Sequence, residues 1–246
     1  MAVRAARRNL RRAVGLWFKD MMDRHTDSEM IGEARARILG EIGPDVTLVA
    51  ASKRQPDRRI EAILSAGQRV FGENRVQEAE TRWGPRKASL TGLELRLIGP
   101  LQTNKAEAAV RLFDVIETLD RPKLLKALVA AVERTGVPPP DLLIQVNTGE
   151  EPQKAGVTVA ELANLVALTR EMWPGRLVGL MCIPPVEEPA GPHFALLRQL
   201  AEAHGLSQLS MGMSADYALA ARLGATHVRV GSGLFGAREA LPPATA

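Results

Sequence analysis

From residue 45 onward the chain repeats one unit: a short apolar run rich in β-branched residues, a polar turn, then a stretch with apolar residues at three- and four-residue spacing. The apolar runs predict eight strands: Val46–Ala51, Arg69–Phe71, Leu93–Ile98, Val115–Leu119, Leu142–Asn147, Leu177–Ile183, Gln208–Met211 and His227–Val230. The intervening stretches, among them Arg59–Ala66, Pro122–Arg134 and Val159–Met172, predict helices. Several strands are almost continuously apolar, as parallel strands covered on both faces are. Gly136 with Pro138–Pro140, and Gly175 ahead of Leu177, punctuate the connections.

Eight βα units in about 200 residues predict an α/β protein built as a single (β/α)8 TIM barrel. An open doubly wound sheet rarely needs eight such regular repeats, and a barrel leaves no strand edge exposed. No G-x-G-x-x-G follows the first strand, which removes the main support for a dinucleotide-binding sheet. No linker rich in Pro, Gly or Ser splits the body. The expected organisation is a basic amphipathic extension over residues 1–25 followed by one barrel over 26–246.

Composition narrows the function classes. The 246 residues are 46% hydrophobic and 24% charged, and no run approaches the roughly 18 apolar residues of a membrane span. Cys182 is the one cysteine, so neither a disulfide framework nor a cysteine zinc cluster is available, and a reducing compartment suits the chain. His25, His193, His204 and His227 show no ligand spacing, and no metal is expected. The net charge of +4 is uneven: Arg4, Arg7, Arg8, Arg11, Arg12 and Lys19 all precede residue 20, with no acid among them. Removing that +6 leaves the remainder at −2, which weakens a nucleic-acid reading of the body. Val3, Leu10, Val14, Trp17 and Met21 would form an apolar stripe opposite the arginines on a helix. An organelle transit peptide, a membrane-surface helix, a helix packed on the body and a later start at Met21, Met22 or Met30 all remain open for this segment.

In a barrel of this kind chemistry collects where strands end. Strand 1 delivers Ser52-Lys53, strand 2 Gly72-Glu73-Asn74, strand 3 Gly99 to Gln102, strand 5 Asn147 and strand 6 Cys182-Ile183-Pro184. Strand 7 runs into Met211-Gly212-Met213-Ser214, and strand 8 carries Arg229 into Gly231-Ser232-Gly233. Glycines and hydroxyls ahead of helix starts at the last two strands suit a phosphate cradle; helix capping is the plainer account of either loop alone. Lys53 ends an apolar run that aims its ammonium at the barrel mouth, where desolvation favours the neutral amine that attacks an aldehyde; a solvated lysine is the bland alternative. One ligand joins aldehyde and phosphate, namely pyridoxal 5′-phosphate. Arg229 within a strand needs a partner, either a carboxylate or the pyridine nitrogen of such a cofactor.

These residues lie in stretches that resemble the pyridoxal phosphate homeostasis protein family. The matching segments are Ala51-Ser52-Lys53, AGQRVFGENRVQE (Ala66 to Glu78), LIGPLQTNK (Leu97 to Lys105), LIQVNTGEEPQKAG (Leu143–Gly156), GLMCIPP (Gly179–Pro185), LSMGMSADY (Leu209–Tyr217) and VRVGSGLFGAR (Val228–Arg238). They run in order through nearly the whole body, and the combination of FGEN, IGPLQ-x-NK and MGMS is specific. The family is similar to the N-terminal barrel of alanine racemase, the type III pyridoxal phosphate fold. The resemblance implies that Lys53 carries the cofactor as an internal aldimine, that Arg229 faces the pyridine nitrogen, that Ser214, Gly231 and Ser232 hold the phosphate, and that Asn74 lies beside the ring. It further implies intracellular cofactor homeostasis: binding, buffering or delivery to apo-enzymes, without established turnover and with no catalytic residue. Ser232 in place of the family's frequent Thr, and Ala51 ahead of Ser52-Lys53 in place of Val, are mild departures. Tyr217, where relatives often carry Met, places a phenol near the phosphate loop.

Racemisation needs a base on each face of the cofactor–substrate plane. Lys53 is one candidate, and Tyr217 is the only tyrosine of the chain, following the phosphate loop at a helix start where capping or packing is expected of it. The chain runs only 16 residues past Val230, too short for the second domain that supplies the opposing tyrosine in alanine racemase. A carrier is therefore expected over an enzyme. A lysine-dependent aldolase or sugar-phosphate isomerase is the chemical alternative, with Glu73 as its strand-end carboxylate. An inert barrel with a membrane- or nucleic-acid-binding tail is a third. Cys182 is expected to face the core, and Lys105 and Lys154 are loop lysines that could attract anionic groups. The expected partners are pyridoxal 5′-phosphate and apo-enzymes that use it, with no nucleic acid or membrane, for a monomer in the cytoplasm.

Overall fold

The computed structural model describes residues 25–236; the basic extension expected over residues 1–25 lies outside them but for His25, as do residues 237–246. Eight strands form in chain order: β1 (Thr47–Ala51), β2 (Val70–Glu73), β3 (Glu94–Leu97), β4 (Val115–Leu119), β5 (Asp141–Val146), β6 (Leu177–Cys182), β7 (Gln208–Ser210) and β8 (His227–Val230). Each pairs in parallel with the next, and β1 closes on β8 through Thr47 beside His227 and Ala50 beside Val230. The result is the closed barrel that the repeat predicted.

Helices α1 (residues 25–42), α2 (Asp57–Ser65), α3 (Val76–Lys87), α4 (Ala106–Leu112), α5 (Pro122–Thr135), α6 (Val159–Met172), α7 (Ala190–Ala203), α8 (Tyr217–Arg222) and the single turn α9 (Ser232–Phe235) connect or flank the strands. Their ends follow local chemistry. Pro122 opens α5 where no backbone donor is needed, and Gly136 ends it with φ of 64°. The Thr158 hydroxyl accepts the Glu161 amide at 3.3 Å and donates to the Glu161 carboxylate, capping α6. In α1, Ile31, Ile38 and Ile42 recur at seven- and four-residue spacing and are buried in the main core.

Two-residue alternation sorts each strand between two environments. Leu48, Ala50, Phe71, Leu95, Leu97, Ile116, Ile144, Leu180, Val228 and Val230 join the core between sheet and helices. Val115, Leu143 and Met181, one residue out of phase with these, form a separate cluster inside the barrel. Arg96, Glu117, Ser210 and Arg229 share that inward phase and are all buried. The lumen therefore holds an apolar cluster from β4, β5 and β6 and a charged group from β3, β4, β7 and β8.

The strands match the expected ones to within a residue or two, and the largest difference has a local cause. β2 begins after Arg69, whose guanidinium donates to the Leu64 and Gln68 carbonyls in the preceding turn. It continues through Glu73, a carboxylate tolerated in a fully buried strand position because Arg82 and Trp83 donate to it.

Gly179 has no room for a side chain: a Cβ there would lie 2.1 Å from the Gln208 carbonyl oxygen on the paired strand. Gly179→Ala is expected to destabilise the fold by about 1–3 kcal/mol through forced separation of β6 from β7. Gly32 in α1 has nothing within 4 Å of such a Cβ, so Gly32→Ala should stabilise by roughly 0.5–1 kcal/mol. Urea unfolding of both variants checks the opposite signs.

Candidate functional site

Lys53 sits half-buried in the turn that leaves β1. Val49 packs toward Gly72 and Ile98 inside the barrel, Ala51 follows in the same phase, and Lys53 is next in that alternation. Asn74 leaves β2 two residues beyond Gly72, as Lys53 leaves β1 two residues beyond its partner Ala51. The Asn74 Oδ1 atom is buried and accepts no hydrogen bond among the described residues. An orphaned buried acceptor at a strand end costs free energy and marks a place where a ligand donor fits. Gly99 holds that strand end close, since a Cβ there would lie 2.3 Å from the Asn74 carbonyl oxygen.

Across β1, the loops after β7 and β8 interlock. Gly212 takes φ of 89°, a conformation that favours glycine, and turns the chain so that the Met213 amide donates to Asp216 Oδ1 at 2.6 Å. The Gly231 and Gly233 amides both donate to Ser214 Oγ, at 3.3 and 3.0 Å. Two amides converging on one oxygen form the kind of concavity that binds a phosphate oxygen, a place that the Ser214 hydroxyl occupies in this structure. Ser232 lies exposed between them as the first residue of α9. These donors fit a phosphate monoester, and the uncapped Asn74 oxygen and mouth lysine fit a polar aldehyde ring. All six residues expected to hold a cofactor come from β7, β8, β1 and β2 or their ends, four adjoining strands on one arc of the barrel.

Beneath this arc lies the ionic part of the lumen. Arg229 Nη1 donates to Ser210 Oγ and its Nη2 to the Cys182 carbonyl, each at 2.8 Å. Ser210 Oγ donates to Glu117 Oε2 at 2.5 Å, and Arg96 Nε donates to Glu117 Oε1 at 2.5 Å. Arg96 also reaches Glu94 Oε1 at 2.5 Å. Burial pushes the Glu117 carboxyl upward, but the charges of Arg96 and Arg229 with the Ser210 hydroxyl outweigh it and hold the group below its ordinary value. At its inner edge Arg229 thus reaches a carboxylate, Glu117, through the Ser210 hydroxyl. Arg96 and Glu117 escaped the sequence reading, although charged residues inside Glu94–Leu97 and Val115–Leu119 raise the same question as Arg229.

Other candidates separate from the site. Glu73 is fully buried on the outward face of β2, against α3. The Tyr217 hydroxyl donates to Glu41 Oε2 at 2.6 Å and accepts from Arg37 Nη1 at 2.9 Å, so it packs on α1. Cys182 faces the main core, where burial pushes its thiol up to about 12. Lys154 Nζ donates to the Pro184 carbonyl, and Lys105 ends a short 3-10 turn. No group of three or more potential metal ligands occurs among the described residues.

Comparison with known proteins gives a consistent result. The family model "Alanine racemase, N-terminal domain" matches residues 41–239. The pyridoxal phosphate homeostasis protein of Escherichia coli is 38% identical over 215 residues, spanning 84% of this chain and 92% of that protein. That of Pseudomonas aeruginosa is 38% identical over 233 residues, spanning 89% and 99%. PipY of Synechococcus elongatus, solved without PLP, superposes with a TM-score of 0.78 at 38% identity over 84% of this chain and all of that one. The same protein solved with PLP bound gives a TM-score of 0.74 at 37% identity and the same coverage. Alanine racemase of Clostridium difficile, at 12% identity and a TM-score of 0.68, shares the fold.

The lumen charges predict an acid-sensitive fold. His227 lies beside Arg96, Glu117 and Arg229, and burial first, then Arg96, pushes its imidazole down to about 4 from 6.5. The unfolded chain takes up that proton near 6.5 and the folded chain only near 4, so stability falls as pH drops through this window, by on the order of 3 kcal/mol. Glu117 adds to the loss lower down: its depressed value means stability fully present above 4.5 and lost as pH falls through the folded-state value. Urea midpoints should decline below about pH 6.5, and His227→Gln should abolish the decline between 6.5 and 4 while leaving the steeper loss below it.

Proposed function

The chain belongs to the family of pyridoxal phosphate homeostasis proteins, and from that premise we propose that it binds pyridoxal 5′-phosphate covalently through Lys53 and holds it for other proteins. The observation that carries this reading is the gathering of Lys53, Asn74, Ser214, Arg229, Gly231 and Ser232 on four adjoining strands. When bound, the cofactor supplies an aldehyde that condenses with a primary amine. Lys53 would supply the amine, and Ser214, Gly231 and Ser232 would hold the phosphate. Asn74 lies beside the ring. Arg229, pinned at its inner edge by Ser210 and the Cys182 carbonyl, faces the pyridine nitrogen with donors only.

A carrier is favoured over an enzyme. A racemase needs a second base, and Tyr217, the one tyrosine, is committed to Glu41 and Arg37 on α1. The sugar-phosphate alternative needs a carboxylate at the mouth, and Glu73 is buried against α3 instead. The reading extends to a monomer in the cytoplasm that buffers the cofactor or passes it to apo-enzymes, with neither membrane nor nucleic acid as partner. No helix among the described residues is long and apolar enough to cross a membrane.

Borohydride reduction of the loaded protein followed by peptide mass mapping should place a phosphopyridoxyl group on Lys53, and Lys53→Ala should lose the covalent adduct. A chain that gains no colour and no adduct with added pyridoxal 5′-phosphate would sink the proposal and bring the sugar-phosphate enzyme forward. Loaded protein offered L-alanine should release no D-alanine above the protein-free rate; turnover there would overturn the carrier assignment while leaving the cofactor site intact.

A further inference from the structure

We propose that Arg82 of α3 is the positioning residue for Lys53: its guanidinium fixes the turn on which the lysine stands and so sets how readily the amine meets an aldehyde at the barrel mouth. The proposal rests on the assignment of Lys53 as the attachment site.

The turn is short and strained. Ser52, Lys53, Arg54 and Gln55 form it, closed by the Gln55 amide donating to the Ser52 carbonyl at 3.1 Å. Arg54, directly after the lysine, takes φ of 59°, a left-handed conformation that a side chain disfavours. Such a turn persists only where its surroundings over-determine it. Arg82 does so from outside the barrel. Its Nη1 donates to the Ser52 carbonyl at 2.7 Å and its Nη2 to the Gln55 carbonyl at 2.7 Å, so one planar fork grips both ends of the four-residue turn. Nη1 also donates to Glu73 Oε1 at 2.9 Å.

The Glu73 oxygen is itself crowded. It receives the Ser52 hydroxyl at 2.8 Å and the Trp83 indole N–H at 2.9 Å as well as Arg82. Trp83 is fully buried and packs on Phe71 with ring centroids 4.5 Å apart and planes tilted by 45°, which anchors the carboxylate to the body of the fold. The arrangement is not that of a pair optimised for itself. A guanidinium and a carboxylate pair best through two parallel bonds. Here Glu73 Oε2 and Arg82 Nε are both buried without a hydrogen bond among the described residues. The fork gives one bond to the carboxylate and its two shorter ones to the carbonyls at the ends of the turn that carries Lys53. Leaving two polar atoms unmatched is a cost that a purely structural ion pair would avoid. Arg82 grips Ser52 and Gln55, the two ends of the turn that carries Lys53, so the clamp sets the lysine's backbone from outside the barrel.

The test compares wild type, Arg82→Met and Arg82→Lys with two probes. Pyridoxal 5′-phosphate reports covalent capture, read as the rate at which borohydride-fixed adduct accumulates on Lys53. Pyridoxine 5′-phosphate carries the same ring and phosphate without the aldehyde, so it reports non-covalent binding alone. Arg82→Met is expected to slow capture by at least about tenfold while changing pyridoxine 5′-phosphate affinity by less than about twofold, since misplacement of a reacting group costs far more than misplacement of a bystander. Arg82→Lys should recover part of the rate, because an ammonium reaches fewer of the three acceptors than the fork does. Capture by Arg82→Met at the wild-type rate would overturn the proposal. So would equal losses in capture rate and analogue affinity accompanied by a lower unfolding midpoint, which is what a structural role alone produces. If Arg82→Met yields no folded protein, Arg82→Lys carries the same comparison, and its capture at the wild-type rate overturns the proposal. Wild-type protein that shows no adduct on Lys53 refutes the attachment site itself, an outcome separate from any difference between variants.

Discussion

A carboxylate enclosed by the barrel, Glu117, is the constraint around which the lumen is organised. A charge taken out of water is costly unless opposite charges and hydrogen bonds replace the solvent. Glu117 meets that demand with Arg96 on one oxygen and Ser210 on the other, and Ser210 in turn receives Arg229. The four residues lie on β3, β4, β7 and β8, so the network spans the lumen. Removing Arg96 would leave the Glu117 carboxylate buried without its direct ion-pair partner, at a cost of about 3–5 kcal/mol. The second donor of Arg229 goes to the Cys182 carbonyl at the end of β6, which fixes the plane of the guanidinium across three strands. Arg229, two residues ahead of Gly231, is therefore held from inside the barrel.

The outer face of the same sheet uses similar chemistry for a different end. Glu73 and Arg82 sit between β2 and α3, one residue out of phase with the lumen. β1 and the residue after it connect to the two systems: Ser52 donates to Glu73, while Val49 registers with Arg229 in the lumen. A slip of one residue in β1 would exchange these faces and put Lys53 into the helical layer. Fully apolar Leu48 and Ala50, packed in the main core, make that slip expensive.

Much of this was legible in the sequence, for identifiable reasons. Val115–Leu119, His227–Val230 and Val159–Met172 form over the ranges their patterns predict, since apolar runs bounded by turn residues leave no alternative phase. The placement of the six expected cofactor residues at adjoining strand ends was legible because strand ends in a parallel barrel all open on one side, so their order in the chain already implied it. What escaped was pairing across distance. Glu117 and Ser210 are 93 positions apart, and Tyr217 and Glu41 are 176 apart. Arg82 sits near Gly84 and Pro85 in a stretch of poor helical propensity, which hid α3 and with it the grip on Ser52 and Gln55. Alternation could have flagged Arg96 and Glu117, because a charged side chain in a strand buried on both sides must find a partner inside the fold.

The chemistry of Arg229 bears on why a site of this form suits storage. Arginine carries donors and no acceptor, and keeps its proton throughout the physiological range. A ring nitrogen facing it accepts a hydrogen bond and stays unprotonated, so the ring withdraws electrons weakly and bonds next to an attached amine are little activated. An aspartate in that place would do the reverse. Glu117 keeps Arg229 from drifting toward any acidic group at the mouth by holding it, through Ser210, from below. On the proposed function the buried carboxylate therefore has a chemical consequence beyond stability. It secures a donor-only partner, and a donor-only partner favours retention of an aldehyde over the carbanion chemistry that the same fold can support.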